Sequence, residues 1–171
     1  MISDFSLSRD KIFIIAEIGN NHNGSKSRAI EMIDQSVELG VNCVKFQMRN
    51  LEEVYRQKSL DKSGDDLGTE YVIDLLNRFE LTIDEHKEIA DYCSSKGIQY
   101  LCTPWDKKSL NILEDFCVTA YKVASADLTN IPLISSICDT KKPIILSTGM
   151  STTSEVEQVA SFLNKRNAEF C

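Results

Sequence analysis

Short apolar runs alternate with capped helical segments along this 171-residue chain, and that alternation is what most restricts its fold. Five runs read as strands: 12–18, 43–47, 98–103, 120–124 and 143–147. None alternates polar with apolar residues, so each is suited to burial on both faces. Strands of that kind, each followed by a helix, build the parallel sheets of α/β proteins. The helices signal their own ends. Ser25 can cap a helix to about Leu39, with Ala29, Ile33 and Val37 on one face and Gly40 as its stop. Thr82-Ile83-Asp84-Glu85 and Thr152-Thr153-Ser154-Glu155 are capping boxes, in which a hydroxyl and a carboxylate satisfy orphan backbone donors reciprocally. They predict helices to about Lys96, before Gly97, and to about Lys165. Tyr71–Phe79 reads as a short helix; Asp106 can cap one to about Asp115, and Asn130 with Pro132 opens one to about Cys138. Residues 48–69 are polar, with Ser63-Gly64-Asp65-Asp66 reading as loop, and an excursion of that length is usually functional. Glu169-Phe170-Cys171 resembles the opening of a sixth strand. No internal repeat or domain boundary stands out.

A net charge of −7 argues against general binding to nucleic acid or anionic membranes. It leaves room for a small anion, because a few lysines in a cleft set the local field. The longest apolar run, 12–16, is far too short to cross a bilayer, and MISDFSLSRDK at the N-terminus has no signal-peptide core. A cytoplasmic protein is expected. Six cysteines are irregularly spaced with no C-x-x-C, which favours buried thiols over disulfides or a zinc ribbon.

Polar residues recur at one end of every strand. The first run ends at Glu17, the second at Lys45 and Gln47, and the third at Thr103. The fourth carries Lys122 and Ser125, with Asp127 just beyond, and the fifth ends at Ser147, Thr148 and Gly149. In parallel α/β folds the C-terminal strand ends share one face, and that face holds the site. Two lysines with several hydroxyls and an amide suit an anion with many oxygens. The two carboxylates could transfer protons, position a hydroxyl or help hold a metal. Each residue also has a structural reading. Glu17 could pair with Lys45 across adjacent strands, Thr103-Pro104 could end a strand, Ser147-Thr148-Gly149 could be a turn, and Asp127 could cap a helix. His22, within the Asn- and Gly-rich run 19–24, reads as a turn residue, and His86 reads as solvated on the polar side of its helix. With only these two histidines and no paired cysteines, the chain offers no convincing transition-metal site.

The segments IIAEIGNNHNG (14–24), VKFQ (44–47), YLCTPW (100–105), YKVASADLTNIPLI (121–134) and KPIILSTGM (142–150) resemble the sialic acid synthase family. That family comprises the N-acetylneuraminate, legionaminate and pseudaminate synthases. The likeness runs in order over about residues 12 to 166. It implies a (β/α)8 TIM-type barrel that condenses phosphoenolpyruvate with an N-acetylmannosamine-type sugar and releases phosphate. It implies a divalent metal, Mn2+ or Mg2+, and a homodimer for the whole enzyme. By position, Lys45, Thr103, Lys122, Ser125 and Ser147 match the phosphoenolpyruvate-binding set, with Gln47 beside them. Glu17 matches an acid that contacts the acceptor sugar. Asp127 stands where many members carry Glu.

A barrel of this type has eight strands and about 250 residues. The chain is therefore expected to be the first five or so β/α units of one barrel domain. The family's metal-binding histidines lie on later strands, and its C-terminal antifreeze-like domain is likewise expected to lie outside these residues. An open sheet of this kind is expected to be inactive alone and prone to self-associate. Two other functions compete: a non-catalytic remnant that binds an anionic metabolite or a partner chain, and a related phosphoenolpyruvate–aldose synthase of octulosonate or heptulosonate type.

Overall fold

A computed structural model of the chain describes residues 12–55, 69–116 and 118–171. Five strands form one parallel sheet in sequential order: β1 (Ile15–Gly19), β2 (Cys43–Met48), β3 (Gln99–Pro104), β4 (Tyr121–Val123) and β5 (Ile144–Leu146). The connecting helices are α1 (Lys26–Glu38), α2 (Leu51–Val54), α3 (Thr69–Phe79), α4 (Ile83–Lys96), α5 (Lys107–Glu114) and α6 (Ile131–Asp139). Helix α7 (Thr153–Lys165) follows β5. Sequential parallel order with a helix after each strand is the (β/α)8 barrel arrangement, here over its first five units. A parallel bridge from Ile144 to Phe170 marks where a sixth strand begins.

The predicted caps are in place. Ser25 accepts from Arg28 N, Asp106 from Ser109 N and Asn130 from Leu133 N, and both capping boxes close fully. Gly97 ends α4 in the left-handed region, with φ 72°. The first strand starts later than expected, at Ile15 rather than Ile12. Its partner begins only at Cys43, in register with Ile15, and Ile14 meets the entry to that partner instead, its carbonyl accepting from Asn42 N and Cys43 N. Part of the polar stretch 48–69 folds as α2, while Ser63–Asp66 lies outside the described residues. Of the cysteines, 43, 93, 102 and 138 are buried free thiols and Cys171 is exposed. Cys117 lies outside the described residues.

The main core lies between the sheet and its helices. Ala29 and Ile33 of α1, Ile89 and Cys93 of α4 and Ile134 and Ile137 of α6 close over Phe46, Tyr100, Cys102, Tyr121 and Val123. His86 belongs to this core and is not solvated: it is 3% exposed, and its Nδ1 lies 2.9 Å from the Tyr100 hydroxyl. His86, Ile89 and Cys93 recur at three- and four-residue spacing, which places them on one inward helix face. Burial, helped by the charge of His22, pulls the His86 pKa down to about 4.

His22 holds its turn as expected, accepting a hydrogen bond from Gly24 N at 3.1 Å while its ring lies against Phe46. Gly24 has φ +75°, and a Cβ there would stand 2.4 Å from the Arg78 carbonyl oxygen at the end of α3. Gly24→Ala is therefore expected to cost about 2 kcal/mol or more, from left-handed strain plus a backbone clash. Urea unfolding checks this; a loss under about 0.5 kcal/mol, the size of a bland surface change, would mean that turn and helix separate freely.

Candidate active site

Side chains alternate across a strand. In β2, Val44, Phe46 and Met48 enter the helix-side core, so Cys43, Lys45 and Gln47 take the opposite face. The base of that face is apolar: Cys43, Leu101 and Ala120 pack with Phe13, Ile15 and Ile145. Toward the C-terminal strand ends the same face turns polar. Register places Glu17 beside Lys45 and Gln47 beside Thr103, and a hydrogen bond joins Lys122 to Ser147. Six of the eight residues expected at the site thus share one mouth.

Lys45 is buried. Its Nζ lies 2.8 Å from Glu17 Oε2 and donates to Thr103 Oγ1 at 3.4 Å. The cross-strand ion pair and the site position therefore coexist. The Glu17 side chain is 60% exposed and Lys45 only 6%, so the carboxylate sits at the rim above a sunken amine.

Lys122 is also buried, and its Nζ donates to the Val123 carbonyl at 2.6 Å and to Ser147 Oγ at 2.5 Å. Among the described residues it has no carboxylate within ion-pair distance. Burial first, then the Lys45 charge, bring its pKa down to about 8, while Glu17 and Cys171 pull the other way. Two amines on β2 and β4, with a β3 threonine between them, repel each other across the mouth. An anion placed there relieves that repulsion.

Ser125 and Asp127 occupy a 3-10 turn after β4. Neither is hydrogen-bonded to a lysine among the described residues. Asp127 does not cap α6; Asn130 does, and Asp127 Oδ1 accepts from Asn130 Nδ2 at 3.0 Å. Its Oδ2 is buried with no hydrogen-bond partner among the described residues. Burial raises the Asp127 pKa, against the pull of the Asn130 hydrogen bond.

Residues 32–171 match the NeuB family. The chain belongs to that family. It is 37% identical over 151 residues to an uncharacterised protein of Methanocaldococcus jannaschii, covering 88% of this chain and 42% of that one. It is 32% identical over 162 residues to the N,N'-diacetyllegionaminic acid synthase of Campylobacter jejuni, covering 93% and 48%. The crystal structure of an N-acetylneuraminic acid synthetase of Leptospira borgpetersenii, in complex with citrate, superposes with TM-score 0.82 at 29% identity, covering 98% and 57%. The resemblance read from the motifs is thus borne out, and so is the barrel type. This NeuB-family chain spans less than half the length of these two curated relatives.

Sequence reasoning missed two residues at this mouth. Arg49 donates to Gln47 Oε1, and its guanidinium lies 4.9 Å from the centre of the Trp105 ring. Both stand one position beyond a strand end, where the rule that found the others also applies. Asp106, expected only as a cap, additionally accepts from Asn50 N at 2.6 Å and so ties the end of β2 to α5. No group of three or more His, Cys, Asp or Glu side chains among the described residues is placed to hold a metal.

Proposed function

We propose that this chain supplies the phosphoenolpyruvate-binding half of a nonulosonic acid synthase. The observation that supports it most is the pair of buried lysines facing one mouth with hydroxyls between them. Phosphoenolpyruvate carries a carboxylate and a phosphate, enough negative charge to use both amines. Lys45, Thr103, Lys122 and Ser147 hold those groups, with Ser125 at the edge and Gln47 fixed by Arg49. The citrate in the Leptospira relative's crystals is likewise a multi-oxygen anion.

In the reaction, C3 of the enol attacks the aldehyde carbon of an N-acetylmannosamine-type sugar and the new alkoxide takes up a proton. Glu17, exposed at the rim, faces that acceptor and relays the proton. Water adds at C2, and the Asp127 carboxylate, its Oδ2 buried with no partner among the described residues and its proton affinity raised by burial, takes the proton that the water loses. The tetrahedral carbon then forms its C=O as the new hydroxyl gives up its proton to the departing phosphate and the C2–O(phosphate) bond breaks. A Mn2+ or Mg2+ ion, which the family resemblance implies, would draw its ligands from outside the described residues, as would a homodimer its closing domain.

Phosphate release tests this. The 171 residues alone are expected to bind donor without turnover. Joined to the remaining β/α units of a family barrel, they are expected to release phosphate with N-acetylmannosamine and not with a phosphorylated tetrose or pentose. The reverse preference would assign a heptulosonate- or octulosonate-type synthase.

A further inference from the structure

We propose that Lys122 captures short α-keto acids as a reversible imine, giving the mouth a covalent carbonyl-binding activity beyond its hold on the enol phosphate. The inference rests on the anion-binding reading above. Four features of the mouth carry it. Lys122 is a buried amine whose only close partners among the described residues are a carbonyl and a hydroxyl. The other buried amine, Lys45, is already held by a carboxylate at 2.8 Å. The two therefore divide the work: Lys45 with Thr103 anchors a carboxylate, and Lys122 meets the adjacent carbonyl carbon. Third, the Ser147 hydroxyl touches the reacting nitrogen and is placed to pass protons. Fourth, Lys122 is desolvated beside another cation, the combination that makes a lysine nucleophilic near neutral pH. The charged and titratable groups acting on it are Glu17 of β1, Lys45 of β2 and Cys171 beyond α7, and their balance with burial leaves its pKa at about 8.

The chemistry balances without any further reagent. The neutral Nζ adds to the keto carbon, forming the C–N bond, and the carbonyl oxygen takes a proton to give a carbinolamine. The nitrogen gives up one of its own protons, and its freed lone pair expels the hydroxyl as water once a second proton reaches that oxygen. The net change is amine plus ketone plus one proton to iminium plus water. Hydrolysis reverses it.

The probe is pyruvate. The 171-residue chain is incubated with pyruvate and sodium borohydride, digested and mapped by mass spectrometry, with phosphate binding measured in parallel by calorimetry. The expected result is a 1-carboxyethyl group on Lys122, well above that on exposed lysines such as Lys87 and Lys107. It increases as pH climbs toward about 8. Phosphoenolpyruvate suppresses it, and K122R abolishes it. Labelling of Lys122 no greater than that of the exposed lysines overturns the proposal. If phosphate still binds in that case, the anion-binding reading stands and only the imine falls; if phosphate does not bind either, both fall. Because the decisive map is made on the unaltered chain, the folding of the variant does not affect it.

Discussion

Replacing Lys122 with methionine is expected to weaken phosphoenolpyruvate binding by about 100-fold while leaving the protein at least as stable. Removing one buried member of a charge-assisted contact typically costs about 2–5 kcal/mol, and about 2.7 kcal/mol corresponds to that factor. The stability half of the prediction has the opposite sign. Lys122 is desolvated, lacks a carboxylate partner among the described residues and faces the Lys45 charge. Replacing such a charge with an apolar side chain of similar length is often neutral or stabilising. A residue that costs stability and serves binding is a site residue, so calorimetry and urea unfolding on the same variant separate the two roles. Loss of stability with unchanged binding would make Lys122 structural. Binding should also weaken in the unaltered protein as pH rises through about 8, where the amine loses its proton.

The second large effect is acid sensitivity centred on His86. Its pKa is about 4 in the folded chain, against an unperturbed 6.5. Below about pH 6.5 the unfolded chain takes a proton that the folded chain refuses, so stability falls with pH. The contribution is fully present above about pH 6.5; about 2 kcal/mol of it is lost by pH 5 and on the order of 3 kcal/mol by pH 4. His22, also lowered by burial, acts in the same direction. Carboxylates titrate over part of this range, so the comparison is with His86→Gln, which keeps a polar atom for the Tyr100 hydroxyl. The urea midpoint of that variant is expected to depend less steeply on pH than that of the parent. Equal slopes would mean that His86 charges freely in the folded state.

Locally encoded features were the most legible in the sequence. The capping boxes at Thr82 and Thr152 involve residues three apart, so spacing alone reveals them. The mouth was legible for a different reason: a parallel sheet puts all its C-terminal strand ends together, so Glu17, Lys45, Thr103, Lys122 and Ser147 needed no long-range information. What a side chain meets across the sheet was not legible. Nothing in the sequence states that Arg49 lies over Trp105, or that Lys122 reaches Ser147 just past the end of the neighbouring strand. His86 was misread because its polarity outweighed its spacing with Ile89 and Cys93. Asp127 was placed at the right end of the sheet, but its partnerless oxygen emerges only from packing.

The most direct test of the account is to add phosphoenolpyruvate to the 171-residue chain and follow backbone amide chemical shifts residue by residue. The largest changes are expected at Lys45, Thr103, Lys122 and Ser147, on the mouth side of the sheet. Changes confined to the groove at its opposite end, lined by Ser94, Gln99, Phe116 and Thr119, or none at saturating donor, would contradict it.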